Sequence, residues 1–100
     1  MNAPLPFCVY VILSDLDHQF YVGFTSDIEK RIDEHNKGRN PSTKNRRPFK
    51  LIFIEYYLFK DDAQNREVYF KSSKGKRMLK LMLSNTLMKL NYNHIDRKLV

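Results

Sequence analysis

An α/β domain with the order strand, strand, helix, strand, helix, helix is what this chain predicts, and three observations predict it. Residues 7–14 (FCVYVILS) and 20–24 (FYVGF) are rich in β-branched and aromatic side chains, the mark of strands. Ser26-Asp27-Ile28-Glu29 has the form of a capping box, which starts a helix. Residues 51–58 (LIFIEYYL) are almost continuously apolar, the pattern of a central strand covered on both faces.

The elements follow in order. In the first strand Phe7, Val9, Val11 and Leu13 share one face, and Cys8, Tyr10 and Ile12 the other. The polar stretch 15–19 reads as a hairpin loop. In the second strand Phe20, Val22 and Phe24 oppose Tyr21 and Gly23. The first helix is expected to run to about Lys37 and to stop at Gly38, a C-terminal cap. Residues 39–50 (RNPSTKNRRPFK) hold two prolines and no apolar periodicity, so they form a loop, and a long loop in a small domain is often functional. Asp61 and Asp62 open the next helix, over 61–71, where acids complement the helix dipole. Residues 72–75 break it. A last helix is expected over 76–90, with Met78, Leu79, Met82 and Leu83 as its apolar stripe. The tail 91–100 gives no firm signal.

One hundred residues make a single domain here, with a core over about 7–83 and a C-terminal extension over 84–100. A chain of this length buries only about two-thirds of its unfolded surface, so the core must be compact. Cys8 is the only cysteine, which excludes an internal disulfide and a thiolate zinc site and suits a reducing compartment. The N-terminal Met-Asn-Ala-Pro-Leu-Pro lacks the basic start and apolar run of a signal peptide, and no stretch approaches the ~20 apolar residues of a membrane span. A cytoplasmic protein is expected. The formal charge of +7 points to a polyanionic partner, with nucleic acid ahead of an anionic membrane.

Two helices place ionisable groups where apolar ones belong. On the 61–71 helix, Ala63, Glu67 and Phe70 share a face, and an acid on that stripe costs free energy unless it is compensated. On the first helix Ile28 and Ile32 define the inward face, and Arg31 and His35 fall in the same arc. Tyr10 and Tyr21, on neighbouring strands, can point to the same place.

These residues carry a resemblance. Tyr10, in Cys8-Val9-Tyr10, followed by Tyr21-Val22-Gly23, resembles the paired signature of GIY-YIG nucleases, and Thr25, Arg31, His35 and Glu67 follow in that family's order. The tract Ser42-Thr43-Lys44-Asn45-Arg46-Arg47-Pro48-Phe49-Lys50-Leu51 is similar to the small stand-alone bacterial members, which resemble the N-terminal domain of the repair protein excinuclease C. The resemblance covers residues 7 to about 83. Cys8 and Val9 depart from the first two letters of the signature, while its tyrosine remains. The resemblance implies a three-stranded antiparallel sheet flanked by helices. It further implies a metal-dependent endonuclease that acts on DNA, in repair or recombination, with Mg2+ or Mn2+ as cofactor. The larger enzymes carry further DNA-binding or partner domains for which this chain has no room, so a protein partner would supply specificity.

On this resemblance the site is Tyr10, Tyr21, Arg31, His35 and Glu67. Glu67 suits a magnesium ligand, because that ion takes one or two carboxylates and fills its remaining positions with water and phosphate. An ion pair with Lys71, four residues on, is the other reading. Tyr10 is the candidate general base. Only about 0.1% of a free phenol is ionised at neutral pH, so the site must favour the phenolate with positive charge or couple it to a neighbouring base. Its bland reading is an amphipathic strand tyrosine. Tyr21 orients water, bonds phosphate or packs. Arg31 is either a two-pronged phosphate clamp or one half of a salt bridge to Asp27 or Glu34. His35, one turn beyond it, either bonds Tyr10 or phosphate, or is a satisfied structural histidine. His18 and His94 read as surface residues. Gly23 fits both a tight turn and a close approach of substrate.

Two basic clusters would bind phosphates: Lys44, Arg46, Arg47 and Lys50 on the long loop, and Lys71, Lys74, Lys76, Arg77 and Lys80 further on. Neither resembles a base-reading motif, so structure rather than sequence would select the DNA. Lys74-Gly75-Lys76 is not a P-loop, since the upstream glycine and the following Ser or Thr are missing. Two other readings stay open: a nucleic-acid-binding module that is non-catalytic or partner-dependent, and an interaction protein built on the Met-rich last helix, whose methionines at helical spacing are more often core.

Overall fold

A computed structural model describes residues 5–92. Its elements are β1 (Phe7–Ser14), β2 (Phe20–Thr25), α1 (Ile28–Asn36), a 3-10 turn (Lys44–Arg46), β3 (Phe49–Tyr57), α2 (Lys60–Lys71), α3 (Ser73–Met82) and α4 (Ser84–Lys89). The chain divides into two compact units between Val68 and Tyr69. His94 and most of the tail lie outside the described residues.

The first unit is built on one antiparallel sheet of order β2-β1-β3. The expected central strand is therefore corrected: β1 is central and β3 lies beside it on the outside. The physical reason lies in β1 itself. Its two alternating faces are both apolar, and every residue from Cys8 to Ser14 is buried, whereas β3 from Lys50 to Tyr57 is exposed or half-buried. A continuous apolar run and an alternation of two apolar faces describe the same environment, so the pattern alone does not rank the strands. The hairpin pairs β2 with one edge of β1, and the helical crossover brings β3 to the other.

The register sets Tyr10 opposite Gly23 on β2 and Ile54 on β3, and Ile12 opposite Tyr21. Tyr10, Ile12 and Phe49 form a buried cluster against which Tyr21, Ile28, Ile32 and Ile54 pack. The inward stripe of α1 thus seats on the tyrosine face of the sheet, and this brings a helix with Arg31 and His35 over two strands with Tyr10 and Tyr21.

Helix α1 begins one residue later than the expected capping box. Asp27 is the N-cap and accepts from the Lys30 amide at 3.2 Å. The amide of Asp27 donates to Thr25 Oγ1 at 3.0 Å, which takes the part reserved for the fourth residue of a capping box. The C-terminus follows expectation: Asn36 is the last helical residue and Gly38 adopts φ +77°, the left-handed cap conformation. Asn36 then locks α1 to the sheet, because its side-chain oxygen accepts from the Phe49 amide at 2.9 Å and its nitrogen donates to the Phe49 carbonyl at 3.4 Å.

In the second unit the expected single helix over 76–90 is two helices, split at Leu83, and it starts earlier. The Ser72 hydroxyl accepts from the Gly75 amide at 3.0 Å, so the break after α2 is a single capping residue and Ser73 is already helical. Leu79 and Leu87 are buried, whereas Met78, Met82 and Met88 are exposed. These three methionines are not core. Among the described residues no helix is long and apolar enough to cross a membrane.

Candidate active site

Tyr10 and His35 are fully buried and joined by a hydrogen bond, Tyr10 Oη to His35 Nε2 at 2.7 Å. The other ring nitrogen, Nδ1, lies 2.8 Å from Thr43 Oγ1. Tyr21 stands edge-on to the His35 ring, with centroids 5.0 Å apart, and 6.4 Å from the Tyr10 ring. Phe49 closes the far side of the imidazole at 6.0 Å. A largely aromatic box made by three strands, one helix and one loop residue holds the phenol and the imidazole together.

Gly23 makes the box possible. A Cβ there would overlap Cζ and the hydroxyl oxygen of Tyr10 and lie 2.6 Å from its Cε1. The close approach that requires glycine is that of the Tyr10 ring across the β1–β2 pair, not of substrate.

Burial pushes the Tyr10 phenol well above its ordinary value, and the neighbouring Tyr21 and the negative charge of Glu67 add to the push. The Arg31 guanidinium pulls the other way and is outweighed. Positive charge alone therefore does not make the phenolate here, and a neighbouring base is needed. Burial and the Arg31 charge lower the His35 imidazolium below its ordinary value, against an upward pull from Glu34, so the ring is neutral at neutral pH and free to accept.

Arg31 and Glu67 are the solvent-facing members. Arg31 is half-exposed, its Nε pairs with Glu34 at 3.2 Å and its Nη1 donates to the Phe24 carbonyl at 3.5 Å. It lines a polar hollow of about 160 Å3 together with Thr25, Ser26, Asp27, Lys30 and Glu34. Glu67 is half-buried on α2. Its neighbour Arg66 grips Glu55 of β3 with two nitrogens, Nε to Oε1 at 2.9 Å and Nη2 to Oε2 at 3.1 Å. The Glu55 carboxylate also accepts from the Tyr57 hydroxyl at 2.7 Å. Burial would raise Glu55, yet the bonds from Arg66 and Tyr57 hold it below the usual carboxylate range. Burial and the bond to Glu55 push Tyr57 up to about 12. This clamp ties α2 to β3 at the residue before Glu67, which lies about 100° further round the helix.

Among the described residues no three of His, Cys, Asp and Glu gather into a metal cage. A single half-buried carboxylate such as Glu67 suits a hard cation that keeps water and takes phosphate oxygens, as magnesium does, and does not suit zinc.

The basic residues divide. Arg46 is committed within the protein: Nε pairs with Asp17 at 2.6 Å, Nη2 donates to the Gln19 and Phe20 carbonyls at 3.2 and 3.3 Å, and the group lies over the Phe49 ring at 5.5 Å. Lys50 pairs with Asp15 at 2.5 Å. Lys44 and Arg47 are exposed, although Arg47 Nε also donates to the Lys44 carbonyl at 2.7 Å. Lys71, Lys74, Lys76 and Arg77 are exposed in the second unit.

Three residues take roles that the sequence analysis does not assign them. Thr43 contacts His35, Asn36 docks the helix, and Arg66 ties α2 to Glu55 of β3. Thr43 and Asn36 have no periodic or motif signal for such roles, because both contacts are made by loop closure. Arg66 has a weak one, an arginine beside the candidate acid.

A buried tyrosine–histidine pair under a helix that carries an arginine, on a three-stranded antiparallel sheet, defines the class as a small α/β domain with one polar site. The family model described as the GIY-YIG catalytic domain matches residues 6–80, and the chain belongs to that family. It is similar to a UPF0213 protein of Clostridium perfringens, 38% identical over 82 residues that cover 81% of this chain and 88% of the relative. The UPF0213 protein YazA of Bacillus subtilis is 38% identical over 69 residues, 68% of this chain and 70% of the relative. Among solved structures, the solution NMR structure of the UPF0213 protein BH0048 from Bacillus halodurans aligns with TM-score 0.49 and 29% identity, over 76% of this chain and 83% of that one.

Proposed function

We propose that the protein is a metal-dependent endonuclease that hydrolyses DNA phosphodiester bonds. The observation that carries this reading is the hydrogen bond between Tyr10 and His35, which gives a phenol with a high pKa a neutral base to take its proton. Tyr10 passes its proton to His35 Nε2 and accepts one from the attacking water, whose oxygen bonds to phosphorus as the bond to the leaving oxygen breaks. The leaving alkoxide takes its proton from solvent. Arg31, at the edge of the polar hollow, holds the scissile phosphate and offsets the charge that builds on it. Tyr21 orders the phenol and water. Glu67 is the residue that would hold Mg2+ or Mn2+, an ion that when bound neutralises phosphate charge. Lys44 and Arg47, with Lys71, Lys74, Lys76 and Arg77, bind the DNA backbone, and structure rather than sequence selects the substrate. A cytoplasmic role in repair or recombination is consistent with this chemistry.

The test is a cleavage screen with labelled branched, nicked and single-stranded DNA in Mg2+ or Mn2+. Glu67→Ala should abolish cutting while its circular dichroism matches wild type. Undiminished cutting by that variant would remove the ligand assignment.

One observation favours a second reading, a binding module without turnover: Tyr10 and His35 have no exposed surface, so water must be admitted before the phenol can act. Tight, salt-sensitive binding with no cleavage in either metal would select it.

A further inference from the structure

We infer that Thr43 is a positioning residue that fixes which nitrogen of His35 carries the proton. The inference rests on the nuclease reading for its consequence, but not for its geometry. A neutral imidazole donates from one nitrogen and accepts at the other. Tyr10 engages Nε2 and Thr43 engages Nδ1, so the ring has two hydroxyl partners and either could play either part. A second acceptor for Thr43 lies beyond the ring. Thr43 is fully buried, and its Oγ1 can donate to the Asn40 carbonyl at 3.5 Å. That carbonyl is the acceptor around which the turn is built, since the amides of Thr43 and Lys44 reach it at 3.1 and 3.0 Å.

On this assignment the hydroxyl proton is directed to Asn40, a Thr43 lone pair faces Nδ1, and Nδ1 carries the ring proton. Nε2 is then bare, and the Tyr10 O–H donates to it. This is the tautomer that can act: the Tyr10 proton moves to Nε2, the ring becomes an imidazolium with its Nδ1–H still held by Thr43, and the phenolate is free to take a proton from water. In the opposite tautomer Nε2–H points at the phenol oxygen and His35 has no lone pair for the proton.

The loop is braced for the purpose. Arg46, three residues on, is tied to Asp17 and to the Gln19 and Phe20 carbonyls, and the Ser14 hydroxyl donates to the Arg46 carbonyl at 2.5 Å. The turn that carries Thr43 is tied at Arg46 to the β1–β2 hairpin. The same turn carries Lys44, so the residue that sets the tautomer adjoins one of the proposed phosphate contacts.

The experiment is nitrogen-15 NMR of the His35 ring in the full chain at neutral pH, paired with cleavage rates. Wild type should show a protonated Nδ1 and a pyridine-like Nε2. Thr43→Val, which keeps the shape and loses the acceptor, should mix the tautomers and slow cleavage by about ten- to a hundredfold. Thr43→Ser should restore both. A protonated Nε2 in wild type overturns the inference without any variant, and so does a Thr43→Val protein with wild-type ring shifts and rate. If wild type cuts no DNA while the ring shifts respond to Thr43 as described, the positioning stands and the nuclease reading alone falls.

Discussion

Tyr10 and His35 trade one cost against another. A buried phenol gives up its proton reluctantly, and a buried imidazole accepts one reluctantly, yet transfer from one to the other keeps the charge inside a single hydrogen-bonded pair rather than creating it alone. Tyr10→Phe should therefore do two things. It should end cleavage, and it should leave His35 Nε2 buried without a donor, at a cost of about 1–2 kcal/mol in urea unfolding. The lowered imidazolium also fixes a sign. The unfolded chain takes up a proton near pH 6.5, while the folded His35 refuses it until a lower pH. Its contribution to stability is present above the unfolded value and is lost as the pH falls through the folded one. Urea midpoints should decline from about pH 7 to 5, above the range where carboxylates titrate, and a His35→Asn variant should be flatter there. Gly23→Ala forces a methyl group into the Tyr10 ring and should cost about 1–3 kcal/mol, with loss of cleavage following loss of the ring's place.

Elements place these residues, and the elements were largely legible. Alternation in β1 and β2, the apolar stripe of α1 and the terminal Gly38 each appear as local patterns, and the residues that break the patterns, Arg31, His35 and Glu67, are the ones that suggest a candidate site. Strand order was not legible, because an apolar run records burial and not which neighbour provides it. The long-range ties were hidden for the same reason. Asn36 meets Phe49 across thirteen positions and Arg66 meets Glu55 across eleven, and neither spacing has any local periodicity. The second tie has a measurable consequence. Arg66→Met keeps the aliphatic stem but releases α2 from β3. A bidentate, partly exposed pair of this kind is worth about 1 kcal/mol. If the clamp aims Glu67, the larger effect should fall there, and the metal concentration for half-maximal cleavage should rise far more than the stability falls. Equal metal dependence in wild type and variant would show that α2 is oriented by other contacts.

At the scale of the whole molecule the formal charge of +7 is the plainest property of the chain, but charge counted in sequence is not charge offered to a ligand. Between α1 and the start of β3, Arg46 of the loop and Lys50 of the strand already face carboxylates, whereas Lys44 and Arg47 are exposed. The sequence could not separate them, since Asp17 lies 29 positions before Arg46 and Asp15 lies 35 before Lys50. Salt dependence separates them in the binding assay. Each phosphate contact contributes about 0.9 to the slope of log affinity against log salt concentration. Replacing Lys44 and Arg47 together by Ala should therefore flatten that slope by about 2 and leave the unfolding midpoint near wild type. Arg46→Ala should do the reverse, lowering the midpoint because Asp17 and two carbonyls lose their donor, with a smaller change in slope. Were Arg46→Ala to flatten the slope as much as the double variant, its guanidinium would have to leave Asp17 when DNA binds, and the loop that carries Thr43 would then move with it.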